Sequence, residues 1–167
     1  MIQSGKFDSL DMDIKKLANT SLIFITNRII EIIGIIISIL GILLLIALFS
    51  YSPSDPNFIF SDNTEIKNLL GFQGSYVSDF LFQSLGLVSF LIPITYFFSG
   101  IRIFKKKEIF FLIKNTFYIV IYSTVGALFF SYFYSDAFNL YINGNGGFVG
   151  TYLNKTLIKA QTVSYEN

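Results

Sequence analysis

Hydrophobic positions along this chain gather into three long runs instead of alternating with polar ones. The runs cover residues 29–50, 80–101 and 115–135. Each is close to the ~20 residues with which a helix crosses about 30 Å of hydrocarbon. Since unsatisfied backbone amides are costly in lipid, such segments cross as helices and not as open strands. The pattern predicts an all-α integral membrane bundle with three transmembrane helices.

Polar segments separate these runs. Residues 1–28 precede the first helix, residues 51–79 form a loop to the second, residues 102–114 form a basic link to the third, and residues 136–167 form a glycine-rich tail. The first run is longer than the apolar core of a cleaved signal peptide and ends in bulky aromatic residues, so we expect an uncleaved anchor.

Composition supports the membrane prediction and removes several kinds of chemistry. The chain is 53% hydrophobic and 14% charged, whereas soluble domains carry about 25% charged residues. It has no cysteine and no histidine, which removes disulfides, thiolate sites and the commonest general base. The glycine-rich stretch at residues 143–155 lacks the spacing of a phosphate-binding loop. We therefore expect no catalytic centre, metal or cofactor in these residues.

Positive charge is unevenly distributed around the runs. Residues 1–28 carry four cations and the link at residues 102–114 carries five, whereas the loop at residues 51–79 has only Lys67 against four acidic residues. The positive-inside rule places the N-terminus and the basic link in the cytoplasm, with the loop and the tail outside. Lys155 and Lys159 in the tail run against this assignment.

A sharp polar stop ends the first run. It consists of Ser52, Pro53, Ser54, Asp55 and Pro56. Each proline lacks an N–H group and disfavours helix in the residue before it. We expect Ser54 and Asp55 to accept hydrogen bonds from nearby backbone amides in an Asx-type turn, and Tyr51 to lie at the membrane interface. The stop is predicted to fix the outer end of the first helix.

A second patterned stretch precedes the second run. Gly71 and Gly74 are followed by Ser75, Ser78 and Asp79. We expect a serine to cap the helix and Asp79 to complement the positive end of its dipole. A role for Asp79 in an ion pathway is the alternative, because carboxylates at membrane depth are often functional.

Small residues recur within the runs at spacings that suggest helix contacts. They are Gly34, Ser38 and Gly41 in the first run and Gly86, Ser89, Pro93 and Gly100 in the second. In the third run, Tyr118, Tyr122 and Gly126 form a comparable stripe along one side of the helix. Small side chains let helix backbones approach closely in lipid. Pro93 is expected to kink its helix. Packing within the chain and contact between copies both remain open. At Glu31, we expect an ion pair with Arg28, three residues earlier.

Three stretches together resemble the N-terminal membrane domain of the FtsK-type DNA translocases. They are LFSYSPSDPNF (48–58), GFQGSYVSDFLFQSLGLVSFLIP (71–93) and GGFVG (146–150). In that family a Ser-Pro-x-Asp-Pro segment ends the first helix. A Gly-x-x-Gly-x-x-x-x-Asp stretch leads to a Leu-Pro pair, here Ile92-Pro93, and a Gly-Gly-x-x-Gly turn precedes a fourth helix. The glycines matching that turn are Gly146, Gly147 and Gly150.

The resemblance implies a multi-pass anchor in the bacterial inner membrane, located at the division septum. In the family this anchor is joined to a hexameric, ATP-driven motor that pumps DNA during chromosome segregation. The implied partners are the bilayer, other septal membrane proteins and further copies of the chain, with DNA reached only through the motor.

The segment after the glycine turn is too polar to span a membrane. We therefore expect the fourth helix of the family pattern to be missing, the chain to be a fragment, and these residues to have no motor activity. A small transport or channel subunit is the alternative, which the absence of charges near the centre of each run disfavours.

Overall fold

In the computed structural model, the described part of the chain is mainly helical. The backbone is described for residues 2–56, 65–134 and 143–165, and side chains for residues 15–56, 65–134 and 143–159. The elements in chain order are α1 (Ile2–Phe49), α2 (Gly71–Leu85), a 3-10 helix (Gly86–Phe90), α3 (Leu91–Lys106), α4 (Phe110–Phe133) and α5 (Gly147–Tyr165). Among the described residues, three segments are long and apolar enough to cross a membrane, namely Lys15–Phe49, Gly71–Lys106 and Phe110–Phe133. The predicted all-α bundle with three such helices is confirmed.

The first helix is much longer than the apolar run predicted at residues 29–50. It begins at Ile2 and ends at Phe49, immediately before the predicted stop. Nothing ends it earlier, because its sequence contains no proline. At 1.5 Å per residue its 48 residues extend over about 72 Å, which is more than twice the hydrocarbon thickness.

The chain crosses back along α1 through the 3-10 helix and α3. Gly34 of α1 faces the backbone of Phe104, and the ring of Phe49 lies 5.1 Å from that of Phe90. We call the end of the bundle at Phe49 the proline end. The opposite end, where α3 stops at Lys106, is the basic end. The second crossing predicted at residues 80–101 lies within the apolar segment Gly71–Lys106, in which α2 lies at the proline end.

The interruption in this second crossing is at Gly86–Phe90, where the helix becomes 3-10. Gly86 has φ +64°, a conformation that side chains disfavour. The kink predicted at Pro93 is therefore misplaced by one or two turns. Pro93 lies in the first turn of α3, where a missing N–H costs little.

The basic link is shorter than the predicted 102–114. Only residues 107–109 separate α3 from α4, since lysine is a good helix former and its charge is favourable in the last turn. Lys107 takes a left-handed conformation, φ 59°, at the C-cap of α3. Its amide donates to the carbonyl of Ile103 at 2.8 Å.

The glycine-rich tail predicted at residues 136–167 contains a helix. A turn at residues 143–146 leads into α5, at the place where the fourth transmembrane helix of the family pattern was expected to be missing. Polarity argues against a membrane span but not against helix formation, and α5 is not among the three spans above. Parts of the predicted loop and tail, residues 57–64 and 135–142, lie outside the described residues.

Candidate functional site

Asp55 closes the loop that follows α1. Its side chain is buried, and it accepts hydrogen bonds from the amides of Lys67 at 3.0 Å and Asn68 at 2.8 Å. A carboxylate that accepts two backbone N–H groups makes charge-assisted bonds that are stronger than neutral ones. These two donors lie 12 and 13 positions away along the chain, and the amides at residues 57–64, where the predicted Asx turn would find its nearest donors, lie outside the described residues. The Ser54 hydroxyl lies 2.8 Å from that of Ser52.

Asn68 joins this loop to the end of α1, and sequence reasoning missed it. It is 4% exposed. Its Nδ2 donates to the carbonyl of Ala47 at 2.9 Å, and its Oδ1 accepts from the amide of Leu70 at 3.1 Å. The sequence signal was weak, since an asparagine between Lys67 and Leu69 resembles any loop residue. Only its buried position distinguishes it.

The polar residues of α2 face the proline stop and do not cap the helix. Ser75 donates to the carbonyl of Pro56 at 2.8 Å, Ser78 donates to the carbonyl of Ser75 at 3.0 Å, and Asp79 accepts from the Tyr51 hydroxyl at 3.1 Å. The predicted capping roles are wrong because α2 begins at Gly71, which places these residues within the helix. All three α2 side chains are buried.

These contacts form one structure, which we call the proline-end cap. It comprises Tyr51, Asp55, Asn68, Ser75, Ser78 and Asp79. An apolar layer lies beside it, in which the ring of Phe82 is 4.9 Å from Tyr51 and 5.5 Å from Phe90. The predicted stop is therefore a folded junction between α1 and α2.

Two glycines predicted near this junction have different roles. Gly71 has φ +65° and open space around it, so its backbone conformation is what requires glycine. A Cβ on Gly74 would lie 2.6 Å from Cβ of Leu70 and would also meet the Asn68 side chain. Gly74 therefore leaves room for the asparagine of the cap.

The second glycine cluster joins the 3-10 helix to the turn before α5. The amide of Leu87 donates to the carbonyl of Asn145 at 3.0 Å, and a Cβ on Gly86 would collide with that carbonyl. Gly147 has φ +61°, and a Cβ there would lie 2.5 Å from the backbone of Ser84. Asn145, which is 1% exposed, was also missed in the sequence.

Gly146 and Gly150 face α4. A Cβ on either residue would collide with the carbonyl oxygen of Ala127. The G-x-x-x-G spacing seen in the sequence is thus a packing contact between α4 and the start of α5.

The small residues of α1 pack within the chain. A Cβ on Gly34 would lie 2.7 Å from the Phe104 amide, and one on Gly41 would lie 2.8 Å from the Phe97 amide. Ser38 donates to the carbonyl of Phe97 at 3.2 Å. A Cβ on Gly100 would collide with Gly34 and Ser38. We call this contact the α1–α3 seam. Of the two roles left open for these small residues, packing within the chain and contact between copies, the seam is packing within the chain.

The face of α4 predicted to make contacts is displaced by one residue. The buried row consists of Ile119, Ser123, Ala127 and Ser131. Of the predicted stripe, Tyr118 is 49% exposed, whereas the Tyr122 hydroxyl bonds to Thr95 and Gly126 lies against Val88. The predicted stripe is therefore only partly correct.

An ion-pair cluster joins α1 to the basic end. Arg28 lies 2.5 Å from Glu31, which confirms the predicted pair. Lys107 reaches the other carboxylate oxygen of Glu31 at 3.0 Å. The carboxylate thus ties α1 to the link between α3 and α4.

Comparison with known proteins gives one family. The family model described as the 4TM region of DNA translocase FtsK/SpoIIIE matches residues 26–163. Among curated relatives, DNA translocase FtsK of Rickettsia prowazekii is 38% identical over 82 residues, which are 47% of this chain and 11% of that protein. DNA translocase FtsK of Rickettsia bellii is 36% identical over 84 residues, which are 50% of this chain and 11% of that protein.

A third relative is matched over a longer stretch. DNA translocase FtsK of Shewanella oneidensis is 28% identical over 130 residues, which are 74% of this chain and 14% of that protein. The chain therefore matches only a small share of the length of these relatives. No solved structure matches the chain.

Proposed function

The chain belongs to the family of the membrane region of DNA translocase FtsK/SpoIIIE, and from this membership we propose that it anchors a DNA pump in the bacterial inner membrane at the division septum. In this proposal the bundle holds the pump where chromosomes are segregated during division. The observation that carries it is the family match over residues 26–163, which includes the α1–α3 seam and the proline-end cap.

The use of the buried polar groups supports an anchor over a transport path. In the cap, Asp55, Asn68 and Ser75 each bond to backbone groups of another segment. Such bonds fix helices relative to one another. Residues that serve a transport path face a cavity or pair along it within the membrane.

Pumping itself is assigned to a motor outside these residues. The relatives are named DNA translocases, and the stretch matched in the first two is 11% of their length. DNA is then a partner of the motor, while the bundle contacts lipid, other septal membrane proteins and further copies of the chain.

Localisation in dividing bacteria tests the anchor proposal. The chain is fused at its N-terminus to a fluorescent protein, and an unrelated multi-pass membrane protein carrying the same label is the control. We expect the chain to concentrate in a band at midcell and the control to outline the whole membrane. Uniform distribution of a correctly inserted chain would contradict the septal role.

Cysteine labelling tests the proposed orientation, and the absence of native cysteines makes single substitutions clean probes. Ser54→Cys at the proline end and Lys106→Cys at the basic end are both exposed positions. With a membrane-impermeant maleimide on intact spheroplasts, we expect labelling of the Ser54→Cys variant only, and of both variants after lysis. Labelling of only the Lys106→Cys variant in intact spheroplasts would reverse the orientation.

A further inference from the structure

An apolar groove opens on the side of the bundle between α1, α3 and α4. It has a volume of about 260 Å³ and is lined by Ile37, Leu40, Gly41, Leu44, Tyr96 and Leu112. Its lining is almost wholly apolar. Within the membrane, a groove of this kind faces hydrocarbon instead of water.

The groove extends from the basic end to the middle of the bundle. On α1 it occupies the turns that follow Gly34, the residue that faces Phe104 close to the end of α3. On α4 it includes Leu112, which lies in the first turn. A lipid chain in the groove would therefore belong to the leaflet whose headgroups lie at the basic end.

Cations exceed acidic residues at that end, on the same three helices and the link that joins two of them. The cations are Arg28 on α1, Arg102, Lys105, Lys106 and Lys107 at the end of α3, and Lys114 on α4. The acidic residues are Glu31 and Glu108. Glu31 is shared by Arg28 and Lys107, so a surplus of positive charge remains.

The lysines of that surplus are accessible. Lys105 and Lys106 are exposed, and neither forms an ion pair within the part of the chain that the structure describes. Arg102 is positioned by its guanidinium, which lies 3.7 Å from the centre of the Phe111 ring. Basic clusters immediately beside a membrane span attract anionic headgroups by about 1 kcal/mol per cation.

We propose that this groove and the basic cluster together bind an anionic phospholipid. One acyl chain lies in the groove between α1 and α4, over Tyr96. The phosphate group lies among the cations that end α3, where Lys105 and Lys106 are available to it. The complementarity is of two kinds. An apolar groove, lined mainly by α1 with one residue each from α3 and α4, fits the acyl chain, and the positive charge at the end of α3 fits the headgroup. The proposal does not depend on septal localisation or on which leaflet faces the cytoplasm.

Lipid titration of the purified chain in detergent tests the proposal, with bound lipid counted by native mass spectrometry. The probes are dioleoyl phosphatidylglycerol and dioleoyl phosphatidylcholine. We expect the chain to bind the anionic lipid more tightly. Replacing Lys105 and Lys106 together by glutamine is expected to weaken binding of the anionic lipid by about fivefold per lysine. The same change should leave binding of the zwitterionic lipid unaffected.

Two matched controls distinguish a specific lipid-binding site from nonspecific electrostatic attraction. Lys155→Gln with Lys159→Gln removes the same charge from α5 and should leave binding unchanged. Leu40→Trp fills the groove and should weaken binding of the anionic lipid. Ile39→Trp adds the same ring at a half-exposed position outside the lining and should not. Circular dichroism and thermal unfolding without lipid establish that each variant folds.

Several outcomes would overturn the proposal. Equal affinity for the two lipids would mean that the cations do not bind the headgroup. If replacing the α5 lysines weakened binding as much as replacing the α3 lysines, the attraction would be nonspecific and not a site at the end of α3. If Leu40→Trp does not change lipid binding, the groove is not the lipid site. If it instead abolishes a dimer detected by light scattering while lipid binding is unchanged, the groove belongs to a second copy.

Discussion

The α1–α3 seam and the proline-end cap both pack against helix α1, but they do so through different interactions. The seam brings backbones together through Gly34, Gly41 and Gly100, with Ser38 as its hydrogen-bond donor to α3. The cap buries a carboxylate and an amide, Asp55 and Asn68, among backbone donors and acceptors. In lipid, the burial of apolar surface does not drive helices to associate, so van der Waals packing between closely spaced backbones stabilises the seam.

This difference predicts two kinds of sensitivity. The seam should be intolerant of added volume, because backbone atoms lie where a new side chain would be. The cap should be intolerant of lost polar atoms, because each leaves a buried partner unsatisfied.

The largest expected effect comes from Gly100→Leu. The new side chain would collide with Gly34 and Ser38 and separate α1 from α3, lowering the free energy of unfolding by about 3 kcal/mol. Unfolding in a titration from mild detergent to dodecyl sulfate, followed by circular dichroism, measures it. Val125→Leu, at a 61% exposed position on α4, is the control. If the two variants were equally stable, the seam would not be a close contact.

Asn68→Ala tests the cap. It leaves the carbonyl of Ala47 and the amide of Leu70 without their side-chain partner, and we expect a loss of about 2 kcal/mol. The same unfolding titration measures the loss. Gln73→Ala, at an exposed position on α2, should have little effect. A stability equal to that of the Gln73 variant would mean that water replaces both bonds and that the cap is not closed.

A pair of glycine substitutions separates backbone strain from crowding. Gly71→Ala and Gly86→Ala place the same methyl group at φ +65° and +64°, at a strain of about 1 kcal/mol each. Only Gly86 has a neighbour in the way, the carbonyl of Asn145. We therefore expect Gly86→Ala to be less stable than Gly71→Ala by a further ~1 kcal/mol. Equal thermal midpoints would show that the turn before α5 moves aside.

The smallest effect is expected from Glu31→Gln, which removes the ion pairs with Arg28 and Lys107. Both cations remain substantially exposed, so the loss of stability should be small and should shrink as salt is added. Glu108→Gln, on the exposed link, is the control. A large loss independent of salt would place the carboxylate in a much less hydrated environment.

The parts predicted well from the sequence are those that depend on composition over many residues. The apolar runs identify the spans, and Pro53 and Pro56 identify where α1 ends, because proline acts on its own backbone. Helix α2, Gly71–Leu85, was not predicted as a separate helix, because its first half lies in a polar stretch that periodicity assigns to a loop.

The cap could not be predicted because its bonds join distant residues. Asp55 is of a residue type that is common in turns, and only the folded loop brings the amides of Lys67 and Asn68 to it. Asn145 is similar, since its carbonyl acquires a partner only when Leu87 lies beside it. Local rules assign such residues to turns, whereas the tertiary structure decides their partners.

The continuity of α1 has a mechanical consequence. No proline interrupts α1 between Ile2 and Phe49, so a tilt of the helix as one rod would move both of its ends together. If it pivots at the proline end, a tilt of ten degrees displaces the other end sideways by about 12 Å over the helix's length. A partner that changes the packing of the cap on one side of the membrane would thus swing the far end of α1 on the other side.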